Sequence, residues 1–510
     1  MATHTTKTCP VTGDPLGDWP VTAAEDVRAA VERARAAQPA WNDLGLERRL
    51  ERLDRLSTAL RDRLDDFAER ISRDTGKPPV EALATELLSV PLFLDHYRRT
   101  APDVLARKPV PNPIPLPGKR AWAGWFPMGV IGIISPWNFP FQLSIIPAIS
   151  ALIGGNTVVL KPSEVTPLTT EVLQELVDAA ALPDHVFQII PGDGSTGAAL
   201  VEANIDKIFF TGSLATGRKV MRAAAERPIP VELELGGKDA FIVCEDAPLR
   251  RAARGAVWGG LLNAGQMCIS VERILVVDAV YDRFVSMLED EVSQVRVGPP
   301  DESPDMGAMT FPPQLDTVDR HVKDAVERGA RLLAGGRRLR DRGLFYAPTL
   351  VADVTPEMAI WREETFGPVL PVIRVRDEAE AIARANDHEF GLTASVWTRD
   401  QERGLRIAES LHCGQVMIND VVLGVGNPAL PFGGVKGSGI GRYHGPEGLT
   451  SFMHRRAIMA DRGLLSADPT WYPYAGKYEA LRAIIEAFID RSPLPLFKAG
   501  TDAIRSRLGG

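Results

Sequence analysis

Cys268 lies in Asn263-Ala264-Gly265-Gln266-Met267-Cys268-Ile269-Ser270, where small and polar residues surround a thiol in a predicted loop. The chemistry open to such a thiol is nucleophilic, carried by its thiolate form. A lone cysteine is more often a small buried hydrophobe, so the thiol needs corroboration. Glu234 supplies it, in Glu232-Leu233-Glu234-Leu235-Gly236-Gly237-Lys238. This carboxylate has apolar neighbours, and the two glycines after it would let another backbone or a ligand approach closely. A solvated strand end is the plainer alternative for it. Asn138, between Trp137 and Phe139-Pro140, is an amide in an apolar run. It is either a hydrogen-bonded turn residue or a donor to a developing oxyanion.

Two glycine-bearing turns add a possible anion site. Gly192-Asp193-Gly194-Ser195-Thr196-Gly197 matches GxGxxG after a predicted strand, but no clear acidic residue follows about 20 positions on, and an ordinary glycine-rich turn is an equal reading of it. Phe210-Thr211-Gly212-Ser213, with Gly217 shortly after, also joins a strand to a helix. Free backbone amides and the helix dipole suit a diphosphate at either turn, and two of them favour a dinucleotide.

The elements that must position these residues follow from periodicity. Ala23 to Asp74 carries helical spacing throughout, and one further helix is predicted over Val80 to Arg99. Lys108 to Gly118 has proline at every second position from Pro109 to Pro117, which predicts an extended arm. Short apolar strands then alternate with helices: Val130 to Ile134, Asn156 to Leu160, Val186 to Ile190 and Lys207 to Phe210. The pattern restarts after Gly237 with Ala240 to Val243, a helix over Leu249 to Leu262, and strands near Ile274 to Val277 and Val369 to Val375. Such alternation predicts an α/β fold with two doubly wound domains. Leu481, Ile484, Ile485, Phe488 and Ile489 mark one face of a C-terminal helix that Pro493 and Pro495 would end.

A chain of 510 residues exceeds what one core organises, and its 45% hydrophobic and 24% charged residues belong to a globular protein. A net charge of -8 gives no footprint for nucleic acid. Cys9, Cys244, Cys268 and Cys413 are too scattered for a disulfide framework or a zinc site, so no metal is expected. Met1 to Pro10 lacks the parts of a signal peptide, and a cytoplasmic location is expected. Met128 to Leu160 is strongly apolar but broken by Pro136, Asn138, Pro140, Gln142 and Pro147, so it is expected to form buried core.

Taken together, the segments resemble the aldehyde dehydrogenase superfamily. Pro136-Trp137-Asn138-Phe139-Pro140, Lys161-Pro162-Ser163-Glu164, Phe210-Thr211-Gly212-Ser213, Glu234-Leu235-Gly236-Gly237-Lys238, Gly265-Gln266-Met267-Cys268, Glu364-Thr365-Phe366-Gly367-Pro368 and Pro431-Phe432-Gly433-Gly434 occur in the family's order. The resemblance covers roughly Trp41 to Leu449. It implies a Rossmann-type cofactor domain from 1–107 and 127–236, an oligomerisation arm over 108–126, a catalytic domain over 237–444 and a tail over 445–510.

The same resemblance implies that Cys268 is the nucleophile, Asn138 an oxyanion donor and Glu234 the base that activates water against a thioester. It places NAD, with NADP as the alternative, against Trp137, Lys161, Glu164, Gly212, Ser213, Gly217, Glu364 and Phe366. The aldehyde pocket is expected among Phe139, Gln142, Leu143, Ile146, Met267, Ile269 and Phe432, which favours an apolar aliphatic or aromatic substrate. Pro147 stands where many members have lysine, as in the class 3 and fatty aldehyde branch. Cys268 to Arg273 is instead similar to some bacterial succinate-semialdehyde dehydrogenases, so that substrate stays open, as does a catalytically silent relative. A homodimer or homotetramer is expected. The C-terminal helix would dock on its own domain or a partner, cover the substrate tunnel as in the fatty aldehyde branch, or touch a membrane surface through Arg482 and Arg491.

Overall fold

The computed structural model describes residues 3–113, 118–463, 466–468 and 470–491. Two open α/β sheets form the larger unit, 1–104 with 127–453. In the first sheet the strand order is Gly439–Ile440, Val231–Glu234, Lys207–Thr211, Val130–Ile134, Thr157–Lys161 and Phe187–Ile189. All neighbours are parallel except Gly439–Ile440, which runs antiparallel to Val231–Glu234. Val130–Ile134, Thr157–Lys161 and Lys207–Thr211 are buried along their whole length, which is why they read as continuous apolar runs and not as alternation.

The second sheet has seven strands, ordered Arg331–Ala334, Thr349–Ala352, Val369–Val375, Val271–Val277, Asp239–Val243, Thr393–Trp397 and Gln415–Ile418. Only its first pair is antiparallel. The chain passes from one sheet to the other between Glu234 and Asp239, so the Leu235-Gly236-Gly237-Lys238 segment links the two.

Helices cover the first sheet. Ala24–Asp43 buries Val27, Ala30, Val31 and Ala34 at helical spacing against Val130, Val159, Leu200 and Ile208. The apolar stretch after Asn138 becomes the helix Gln142–Ile153, buried at every position after Gln142. The single helix expected over Val80 to Arg99 is instead broken into a turn at Pro79–Glu81, a π turn at Ala82–Leu87 and the helix Ser89–Val104. Pro91 accounts for the break. It has no N–H to give, and its ring crowds the carbonyl four residues back, so the preceding turn widens to an i→i+5 bond from Leu88 to Leu83.

The smaller unit joins 105–126 with 454–510. The expected arm and part of the tail share a three-stranded sheet, ordered Met453–Asp461, Lys119–Pro127, Lys108–Val110. The Lys119 ammonium is held by Asp461 and Asp468. The C-terminal helix spans Tyr478–Ile489; Ala487 is buried and Ile484 half-buried, whereas Leu481, Ile485, Phe488 and Ile489 are exposed. Part of the proline arm, 114–117, and the proline stop at Pro493 and Pro495 lie outside the described residues. No helix among the described residues is long and apolar enough to cross a membrane.

Candidate active site

Glu234 ends a strand of the first sheet, and the chain then turns through Gly236 and Gly237. A Cβ on Gly237 would stand 2.1 Å from the Cys268 carbonyl oxygen, and one on Gly236 would stand 2.5 Å from Glu364 Oε2. Only glycine permits both approaches. They bring the segments of Glu234, Cys268 and Glu364 together, and the Gly237 N–H donates to Glu364 Oε1 at 3.0 Å.

The loop that carries Cys268 is sharply wound. Asn263, Ala264 and Gly265 have φ of 52°, 53° and 72°, a run of left-handed residues that non-glycine side chains adopt only when the surroundings hold them. Gln266 Nε2 donates to the Asn263 carbonyl at 2.9 Å, and the Thr310 N–H donates to Gln266 Oε1 at 2.8 Å. Cys268 emerges half-buried. Its thiol pKa is pushed well above the usual value, first by burial and then by the Glu364, Asp239 and Glu234 carboxylates. That environment disfavours the thiolate.

Glu234 is buried, and neither carboxylate oxygen has a hydrogen-bond partner. Burial raises its pKa well above that of a free glutamate; Glu232 raises it further and Arg442 opposes them. Glu232 projects from the same face of the strand and is paired at 2.5 Å with buried Lys207. Asn138 is also buried and donates through Nδ2 to the Gln266 carbonyl at 3.2 Å, which leaves its second amide hydrogen free.

One cavity of about 790 Å³ gathers these groups. Asn138, Cys268, Glu234, Trp137, Leu143, Lys161, Glu164, Gly212, Ser213, Glu364 and Phe366 all line it. It opens at the carboxyl ends of the first sheet's parallel strands, where open α/β sheets take ligands. Gly217 does not line it. It packs on Leu235 so closely that a Cβ would lie 2.6 Å from Leu235 Cδ2. Phe139, Gln142, Ile146, Met267, Ile269 and Phe432 are likewise absent from the lining: all but half-buried Gln142 are buried, and Phe139 lies under the Lys77 ammonium at 4.3 Å.

The two glycine turns differ. Asp193 caps its own helix, taking the Ser195 N–H at 2.8 Å, so a carboxylate already stands at that helix start. At the second turn the cap is only the Ser213 hydroxyl, which accepts from the Thr216 N–H at 3.3 Å. A diphosphate suits the second and is repelled at the first. Lys161 Nζ meets Glu164 Oε2 at 2.8 Å beside buried Ser163. Trp137 packs edge-on against Phe366 at 5.4 Å.

Three buried lysine–glutamate pairs underlie the site and escape sequence reasoning. Lys77–Glu86 stands behind Asn138, Lys207–Glu232 beside Glu234, and Lys238–Glu272 behind Phe366. Glu272 accepts the N–H groups of Thr365 and Phe366, each at 2.8 Å, and so holds Phe366 at a φ of 50°. Lys238 follows the glycine pair in the sequence, which is a signal of sorts; the others carry none that periodicity would reveal.

A thiol, an unpartnered buried carboxylate and an amide meet on one nucleotide-sized cavity at the strand ends of an open α/β sheet, the arrangement of a nucleotide-dependent enzyme. The chain belongs to the aldehyde dehydrogenase family, whose model matches residues 2–458. It is 43% identical over 479 residues to a 4,4'-diapolycopene aldehyde oxidase of Methylomonas sp, covering 94% of this chain and 90% of that one. It is 42% identical over 465 residues to a protein of Mycolicibacterium smegmatis provisionally named succinate-semialdehyde dehydrogenase (NADP+), covering 90% and 89%. Among solved structures, the Mycobacterium tuberculosis aldehyde dehydrogenase complexed with NAD+ superposes with a TM-score of 0.86 at 36% identity, covering 91% of this chain and 96% of that one. The mixed α/β architecture is that of this family.

Proposed function

We propose that this NAD(P)-dependent aldehyde dehydrogenase oxidises an apolar aliphatic or aromatic aldehyde to the acid through a thioester on Cys268. The observation that carries the reading is the Glu234 carboxylate, buried and without a partner on either oxygen, on the same cavity as the Cys268 thiol. The Cys268 thiol first gives its proton to water. The thiolate adds to the aldehyde carbon, and the oxygen of the resulting thiohemiacetal carries negative charge. Asn138 Nδ2 and the Cys268 N–H hold that charge. A bound NAD(P) would supply the hydride acceptor, and loss of hydride from the thiohemiacetal carbon makes it a thioester carbonyl. Glu234 then takes a proton from water, whose oxygen attacks the thioester carbon; the C–S bond breaks, the acid leaves and the thiolate returns.

The lining fits a dinucleotide. Lys161 and Glu164 would hold the adenosine ribose, Gly212 and Ser213 the diphosphate, and Glu364 the nicotinamide ribose, with Phe366 and Trp137 alongside. Residues 1–107 and 127–236 would serve the cofactor and 237–444 the chemistry. A cytoplasmic homo-oligomer completes the reading.

Leu143 and Phe311 support an apolar substrate, as does the 4,4'-diapolycopene aldehyde named in the Methylomonas relative. The name of the Mycolicibacterium relative favours succinic semialdehyde instead. Against that, no arginine is among the described residues lining the cavity. A panel of alkyl, aryl and carboxylate-bearing aldehydes, followed by NAD(P)H absorbance with each cofactor, tests the whole reading. Absence of turnover across the panel would sink it.

A further inference from the structure

The Lys77 and Glu86 side chains are wholly buried and meet at 2.6 Å. Taking two charges out of water costs several kcal/mol per ion, and an apolar pair of similar volume is often as stable, so stability alone is a poor reason for this one. Its remaining bonds point elsewhere. Lys77 Nζ donates to the Asn138 carbonyl at 3.0 Å. Glu86 Oε2 accepts the N–H of Phe141 at 3.1 Å and of Gln142 at 2.9 Å. The pair thus grips the main chain at Asn138 and again just beyond it, fixing where the Asn138 amide points.

The same segment reaches the nucleophile loop. Glu81 accepts the Asn263 N–H at 3.2 Å, and Asn263 Nδ2 donates to the Asn138 carbonyl at 2.9 Å and to the Gln266 carbonyl at 3.1 Å. Asn138 Nδ2 closes the circuit on that Gln266 carbonyl. Glu86 can reach the Phe141 and Gln142 N–H groups because it sits on the π turn Ala82–Leu87, whose extra residue per turn shifts the side chains from helical register.

We propose that Lys77 and Glu86 are positioning residues for the oxyanion site, a buried bracket that sets the Asn138 amide against the nucleophile loop. This rests on the reading of Asn138 as oxyanion donor, and the two can fail separately. The test is a double-mutant cycle on the first-turnover rate of NADH formation after rapid mixing. Asn138→Ala should slow it by roughly 10²–10³. Glu86→Gln, which removes the charge and keeps the shape, should slow it at least tenfold in the wild type and less than twofold in the Asn138→Ala background. NADH affinity, read by fluorescence titration, and Cys268 alkylation by iodoacetamide should stay unchanged, which a general loosening of the fold would not allow.

If Glu86→Gln slows both backgrounds by the same factor, or neither, the bracket is wrong while Asn138 keeps its role. If Asn138→Ala is fully active, the reading of Asn138 fails and takes the bracket with it. Should Glu86→Gln not fold, Lys77→Met/Glu86→Met carries the same comparison, because removing both charges leaves none buried alone. Wild-type first-turnover rates in that double variant would overturn the proposal.

Discussion

Burial raises the pKa of both the Cys268 thiol and the Glu234 carboxyl, so each gives up its proton less readily than in water. Cys268→Ala should therefore show no NADH burst and no turnover. Glu234→Gln should keep a burst, with steady-state turnover slowed about 10²-fold or more, as rapid mixing followed by steady-state assay would show. Near-normal turnover in Cys268→Ala would end the thioester scheme. The pH dependence follows from the same environment. As the proposed base Glu234 would act in its carboxylate form, and burial with Glu232 alongside raises its pKa, so deacylation should climb as pH rises through that raised value. Glu232→Gln removes the repelling charge and frees the Lys207 cation, and both effects favour the ionised base. Its steady-state pH profile should move to lower pH, and that of Arg442→Gln to higher pH. A profile for Glu232→Gln that stays put would show that Glu232 does not tune the base. Cys268, Glu234 and Asn138 could be singled out in the sequence because their neighbours form motifs, and the fold brings all three to one cavity. The pairs that support them could not: their members lie 9, 25 and 34 residues apart and meet only through the fold.

The two sheets place the chemistry by their ends and not by their faces. Parallel strands of the first sheet deliver Lys161, Thr211 and Glu234 to one edge, where the loops after them line the cavity. The alternation of apolar runs and helices made most of these strands legible, with ends off by a residue or two. Two features were not. The break at Pro91 needed its effect on the preceding turn to be weighed, and the choice between glycine turns needed Asp193 to be seen capping its own helix. Cofactor choice belongs at this scale, because Glu164 sits one turn beyond the Lys161 strand and pairs with its ammonium. A 2′-phosphate near Glu164 is repelled by about 1 kcal/mol at 4 Å in water, roughly fivefold in affinity. NAD should accordingly be preferred, and Glu164→Gln, which also frees Lys161 to meet the phosphate, should raise the NADP to NAD ratio of kcat/KM by at least that factor. Steady-state kinetics with both cofactors checks it; an unchanged ratio would show that Glu164 does not face the ribose.

For the molecule as a whole the open question is what the cavity admits beyond Cys268. The sequence pointed to Phe139, Leu143, Ile146, Met267, Ile269 and Phe432 as apolar surface, yet only Leu143 lines the cavity, because periodicity tells which residues are apolar and not which of two apolar directions they face. Phe141 and Ile145 show the difference: both are wholly buried on the helix side, at 0% exposure. Outside the proposed cofactor contacts the lining includes Leu143 and the Phe311 ring, while its cations among the described residues, Lys161 and Lys219, lie on the strand Thr157–Lys161 and on the helix that follows Ser213. A carboxylate at the far end of a substrate would have no fixed partner there, whereas each methylene buried against hydrocarbon is worth about 0.8 kcal/mol, roughly fourfold. Along the series from acetaldehyde to octanal, kcat/KM should rise by up to that factor per carbon until the cavity is filled, with succinic semialdehyde below butanal. Leu143→Ala should flatten the rise without abolishing turnover of acetaldehyde. Measured kcat/KM for the series decides it: a succinic semialdehyde value above that of every alkyl aldehyde would refute the apolar substrate and favour the semialdehyde reading, with Cys268 and Glu234 unaffected.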